Sequence, residues 1–204
     1  MWRATRIALP MIVGNAVVQG ALVLPTQAEF AGWVLVATAL GSAAALLVTL
    51  GVVVAAALDC FEPARPTWSG VRTRLAGAWL QYVGWTSALF VAAVVGFALW
   101  TWPGVVVLAA GLFVPLYALD RQPPVRATWS IIRQRPARWV ISVVVVTALA
   151  LLAFLLTAVL WFFVPLFTGV AIANLVWGLL VWWWATSLAS LYLTVHGRTA
   201  ASVD

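Results

Sequence analysis

Apolar positions run on for about 20 residues at a time along this chain, and the short stretches between the runs hold nearly all of its charge. A helix that crosses a bilayer needs roughly 20 mostly apolar residues. Six segments meet or approach that length: Ile7 to Leu24, Phe30 to Leu58, Leu75 to Trp100, Pro103 to Leu119, Trp139 to Phe163 and Gly169 to about Leu193. The second is long enough to tilt or to project beyond the bilayer, and the fourth is short and carries Pro115. The pattern predicts an all-α membrane protein with six transmembrane helices in one polytopic domain.

The arginines orient these spans. Arg3 and Arg6 precede the first; Arg65, Arg72 and Arg74 lie between the second and third; Arg121, Arg126, Arg133, Arg135 and Arg138 lie between the fourth and fifth; Arg198 follows the sixth. With six spans all eleven fall on one side, and the opposite turns, Pro25 to Glu29, Thr101 to Gly104 and Val164 to Thr168, hold no basic residue. Short loops rich in Lys and Arg stay cytoplasmic, so both termini are expected inside the cell. Met1 to Ala28 also fits a cleaved signal peptide, with a basic start, an apolar middle and small residues before Glu29. Cleavage leaves five spans in the same orientation, but the apolar run is long for a signal.

One polar stretch is written twice. Ala57 to Ala76, "ALDCFEPARPTWSGVRTRLA", matches Ala118 to Ala137, "ALDRQPPVRATWSIIRQRPA", at 11 of 20 positions. Chance gives about one to three, so the stretch reads as an internal repeat. Each copy sits where one helix leaves the membrane and the next is about to enter, with Pro66 or Pro124 suited to a first helical turn. In the second copy Val125, Thr128, Trp129 and Ile132 fall on one helical face, and Arg126, Ser130 and Arg133 on another. This predicts a short amphipathic segment at the cytoplasmic interface, Trp in the headgroup boundary and Arg toward lipid phosphates. Trp68 and Arg72 keep the spacing that lets a guanidinium reach an indole, although Gly70 interrupts the first copy. Trp2 and Arg6 form a faint third copy. The layout becomes three hairpin units, about 1–58, 59–119 and 120–196 with a tail at 197–204, each preceded by an interfacial segment. An even number of spans per unit gives parallel repeats about an axis along the membrane normal.

Taken singly, the arginines serve as orientation signals and the tryptophans as interfacial anchors. Asp59 and Asp120 are harder to place, since a negative charge at a helix carboxyl end opposes the helix dipole. Each is expected to pair with an arginine of its own copy: Asp59 with Arg65 or Arg72, Asp120 with Arg126 or Arg133.

Composition narrows the function classes. The chain is 65% apolar and 8% charged, with 11 Arg and no Lys against 5 acidic residues. A nucleic-acid binder needs a hydrated basic surface, which this composition does not supply. The excess charge instead suits orientation and anionic lipid. A lone cysteine, Cys60, excludes an intramolecular disulfide and any multi-cysteine metal site. The spans carry no Asp, Glu, Lys or Arg, unlike proton-coupled pumps and intramembrane proteases. His196 stands alone near the last helix end, and the sequence offers no catalytic, cofactor or metal motif, so no enzyme activity and no cofactor are expected. Uncharged polar residues do lie in the spans: Asn15 and Gln19 one turn apart, Gln81 and Tyr82, Asn174, Thr186 and Ser187. Asn15, Gln19, Gln81 and Asn174 could line a path for a neutral solute, and hydrogen bonds between helices explain them as well. "VWWWA", Val181 to Ala185, is expected at the cytoplasmic aromatic belt.

Six spans in about 200 residues, with "TWSGVRTR" and "TWSIIRQR" each before a fresh hairpin, resemble the small YesL-like integral membrane proteins of bacteria. The layout also resembles the membrane domain attached to glycerophosphodiester phosphodiesterases. The likeness lies in layout and covers most of the chain loosely; the long second span departs from the YesL-like pattern. It implies an accessory component, in some cases one working beside sugar-uptake ABC transporters, and carries over no catalytic residue. The expectation is therefore a non-enzymatic accessory or scaffold protein of the bacterial cytoplasmic membrane. Arg65, Trp68, Arg72, Arg74, Arg126, Trp129, Arg133, Arg135 and Arg138 would meet anionic headgroups or a protein partner. The alternative is a small transporter or channel for a neutral solute.

Overall fold

The computed structural model describes residues 2–23, 32–61, 66–99 and 101–195. These form α1 (Trp2–Val23), α2 (Gly32–Asp59), α3 (Trp68–Leu99), α4 (Thr101–Gly111), α5 (Val114–Leu119), α6 (Pro124–Gln134), α7 (Pro136–Phe163) and α8 (Leu166–Val195), with no strand among the described residues. In α1, α2, α3, α7 and α8, apolar spans of 20 to 29 residues are long enough to cross a membrane, which points to a membrane-embedded protein. The remaining apolar run, Pro103–Leu119, is shorter and is divided between α4 and α5. At 1.5 Å per residue it reaches about 26 Å, a little under the roughly 30 Å hydrocarbon core.

Prolines set the breaks. Pro115 has no N–H to give the carbonyl of Gly111, and α4 ends there. Arg135, at φ −139° and ψ 56° before Pro136, separates α6 from α7. Val164 is extended before Pro165, separating α7 from α8. The first repeat copy has Leu75 where the second has Pro136. Its helix therefore runs on unbroken, and the expected separate interfacial segment is instead the opening turns of α3.

The core lies at one end of the bundle. It gathers Ile7 and Ile12 of α1, the carboxyl end of α2, Val71 and Tyr82 of α3, the whole of α5, Ile131 of α6 and Leu188 to Leu193 of α8. Every residue of α2 from Gly51 to Asp59 is buried. Gly51 permits this, because a Cβ there would stand 2.9 Å from Leu75 and 3.1 Å from Tyr82. The tyrosine hydroxyl then donates to the Leu47 carbonyl at 2.8 Å. Toward the other end Trp33, Leu40, Phe90 and Leu99 are exposed, as are Ile141, Leu152, Phe154 and Phe163 along α7. Apolar surface on this scale fits contact with lipid rather than water.

Candidate lipid and partner interface

The repeated aspartates meet at one arginine. Asp59 ends α2 and Asp120 caps α5, while Arg74 stands one turn before Ala78 on the inward face of α3. Arg74 Nε donates to Asp59 Oδ1 at 2.9 Å, and Arg74 Nη1 lies 3.8 Å from Asp120 Oδ1. The other oxygen of Asp120 accepts a hydrogen bond from the Tyr192 hydroxyl on α8. Tyr192 packs edge-on against Tyr117, ring centroids 4.9 Å apart, and the Tyr117 hydroxyl reaches Ser130 on α6. The charged end of the bundle thus joins α2, α3, α5, α6 and α8.

These contacts add an arginine that the expected pairing did not name. Arg72 is exposed and lies about 200° around α3 from Arg74, so the described ion pair of Asp59 runs to Arg74. Arg133 stacks instead on Trp129, its guanidinium carbon 5.4 Å from the ring centroid, and the arginine beside Asp120 comes from the other copy. Arg65, the Arg126 side chain and His196 lie outside the described residues, as does the Trp2 side chain of the faint third copy.

The repeated Thr-Trp-Ser serves two local purposes. In the first copy the Thr67 hydroxyl accepts from the Gly70 N–H at 3.1 Å and caps α3, so Pro66 falls before the cap rather than in the first turn. In the second copy Pro124 opens α6, placing Thr128 inside the helix, where it is buried. Pro124, Thr128 and Ile131 face the bundle, while Val125 and Trp129 are exposed and Ile132 is half-buried. The apolar stripe thus stands largely outside the core, beside exposed Arg133 and followed by exposed Arg135 and Arg138. That is the arrangement an interfacial helix needs.

Arg121 is the residue the sequence did not single out. It follows Asp120 at φ 56°, with its N–H directed to the Ala118 carbonyl and that of Gln122 to the Tyr117 carbonyl, a Schellman close of α5. Its guanidinium crosses to α3 and donates to the Gly77 carbonyl at 2.7 Å, over the space a Cβ on Gly77 would fill. Glycine at 77 is the sequence signal, legible only once α3 and α5 are known to pack.

The polar residues of the spans take separate partners. Gln19 donates to the Ser42 carbonyl at 3.1 Å and accepts from the Ser42 hydroxyl at 2.6 Å, with Asn15 one turn away at 3.4 Å, which fastens α1 to α2. Gln81 donates to the Gln122 carbonyl at 3.3 Å, and Asn174 to the Val170 carbonyl of its own helix at 2.9 Å. No described hydrogen bond joins these three groups into one path. Of the three consecutive indoles, Trp183 is exposed, while Trp182 and Trp184 pack against the core. Cys60 is a free thiol just past α2, and burial pushes its pKa up, with Asp59 acting in the same direction.

No protein-family model, curated protein or solved structure matches this chain.

Proposed function

We propose that the chain is a non-enzymatic accessory protein of a bacterial cytoplasmic membrane, crossing it six times as three hairpins with both termini inside. Its Arg/Trp segments engage anionic lipid headgroups and a membrane-protein partner. The observation that carries the reading is the meeting of Asp59, Arg74, Asp120 and Tyr192. It supports placing the ends of α2, α5 and α8 and the start of α3 at one membrane face, with α4 and α5 together returning the chain to that face. The exposed Trp129–Arg133 pair then lies at the headgroup level. The separate partners of Gln19, Gln81 and Asn174 favour helix fastening over a solute path. The resemblance to YesL-like proteins suggests a transporter as the partner.

Crosslinked affinity capture of the intact protein from native membranes, read by mass spectrometry for proteins and lipids, tests this. A stoichiometric partner that is lost when Arg126, Arg133 and Arg135 are replaced together by Gln is the expected result. Recovery of the chain alone, with solute flux in proteoliposomes that falls on replacing Asn15, Gln19 or Asn174, overturns it in favour of the transporter reading.

A further inference from the structure

A groove of about 1010 Å³ opens at the charged end of the bundle, along the first three turns of α3 and against α2. Its floor rests on buried Val52 and Val71, its open apolar surface is half-exposed Trp68 with part of Leu75, and Ser69, Arg72 and Thr73 supply polar groups. The positions Ser69, Arg72, Thr73 and Ala76 repeat at three and four residues, so hydroxyls and guanidinium share one face of α3. Arg72 is exposed and makes no ion pair among the described residues, in contrast to Arg74 two positions on. At the far end of the lining, Gly77 holds the guanidinium of Arg121. Arg121 also makes no ion pair among the described residues. Arg72 and Gly77 are five residues apart, about 7.5 Å along the helix. The groove therefore has a cation near each end, a hydroxyl-bearing edge and an apolar floor.

That combination selects its occupant. A soluble anion would use the arginines and leave the open faces of Trp68 and Leu75 bare; a neutral lipid would cover the apolar surface and leave the cations unanswered. Resting on the membrane reading above, we infer that this groove holds one anionic phospholipid. Its phosphate is met by Arg72, the ester and headgroup oxygens around it by Ser69, Thr73 and Arg121, and an acyl chain lies along Trp68 and Leu75. The opening turn of α3 adds the positive end of a helix dipole. The site deepens the lipid assignment from a general basic face to a single bound molecule, and it makes Arg121 a ligand residue.

Native mass spectrometry of the full-length protein released from detergent, titrated separately with phosphatidylglycerol and with phosphatidylcholine of the same chains, tests the inference. The expected result is one tightly retained phosphatidylglycerol per chain, held better than phosphatidylcholine. Arg72→Gln and Arg121→Gln each weaken it about fivefold, Ala76→Trp excludes it by filling the groove, and Thr38→Val, on α2 and outside the groove lining, leaves it in place. Thermal unfolding identifies a variant that has lost its fold; Arg72, being exposed, keeps the test decisive if Arg121→Gln unfolds. Equal retention of the two lipids, indifference to Arg72→Gln and Ala76→Trp, or displacement by glycerol phosphate alone at the same concentration overturns it. If the triple Arg126, Arg133 and Arg135 variant still releases a partner in that event, the groove inference has failed and the accessory reading has not.

Discussion

Arg74 on α3 closes a 2.9 Å ion pair with Asp59, the last residue of α2, and the side chains of the pair are 17% and 11% exposed. The same guanidinium faces Asp120, so removing it leaves two carboxylates short of a partner. Breaking a fully buried pair costs about 3 to 5 kcal/mol and an exposed one under about 1. Arg74→Gln is expected to destabilise by roughly 2 to 3 kcal/mol, lying between those limits. Arg72→Gln should change stability by less than about 0.5 kcal/mol. Thermal unfolding in detergent compares them. Asp120→Arg should not be rescued by Arg133→Asp, because Arg133 belongs to Trp129.

Arg121 occupies a left-handed backbone position that glycine adopts freely, and it gains a hydrogen bond to Gly77 in return. Relief of backbone strain, about 1 kcal/mol, and loss of that bond, also about 1 kcal/mol, nearly cancel in Arg121→Gly. A β-branched residue forfeits both, so Arg121→Val should be clearly less stable than Arg121→Gly. The order of their unfolding midpoints checks the geometry.

Much of this arrangement was legible in the sequence, and the missing part has a physical reason. The lengths of the apolar runs put Asp59 and Asp120 at helix carboxyl ends, where the structure has them, and put Trp68 and Trp129 in the stretches that follow. Which arginine serves which aspartate depends on the rotation of α3 and on contact between sequence-distant helices, neither of which appears in a run of letters. Ser42, Tyr117 and Tyr192 read as ordinary span residues until their neighbours are known. The split between α6 and α7 was written at Pro136, against Leu75 in the other copy.

Pro136→Leu should join α6 and α7 into one helix, and Leu75→Pro should divide α3. Spin labels at positions 125 and 145 report the first change: 20 residues of continuous helix separate them by about 30 Å. A distance that does not move on Pro136→Leu would show that contacts of α6, Ile131 above all, set the bend rather than the proline.

Fastening by Gln19 has a measurable strength. Gln19→Leu removes both bonds to Ser42, and interhelical hydrogen bonds in membranes are worth about 1 kcal/mol. A loss of that size is expected, and Ser42→Ala should lose less, since its backbone carbonyl still accepts from Gln19. A double variant no worse than Gln19→Leu alone identifies the pair as one interaction.

Cys60 carries the pH prediction. Its raised pKa means less thiolate at any given pH than an ordinary cysteine, so alkylation by a maleimide should rise with pH later than for a free thiol. The associated stability is complete below the unfolded thiol's pKa and is lost as pH rises through the folded one.

In the proposed six-span layout both repeated segments lie at one membrane face. In a Cys60→Ser background, single cysteines at Ser69, Gln134, Thr26 and Thr168 are challenged in intact cells with a maleimide that cannot cross membranes. Labelling at positions 26 and 168 and protection at 69 and 134 are expected. Protection at 69 with labelling at 134 would put Arg74 and Asp120 on opposite sides of the membrane, and it would contradict the ion pair, the hairpin layout and the function built on them.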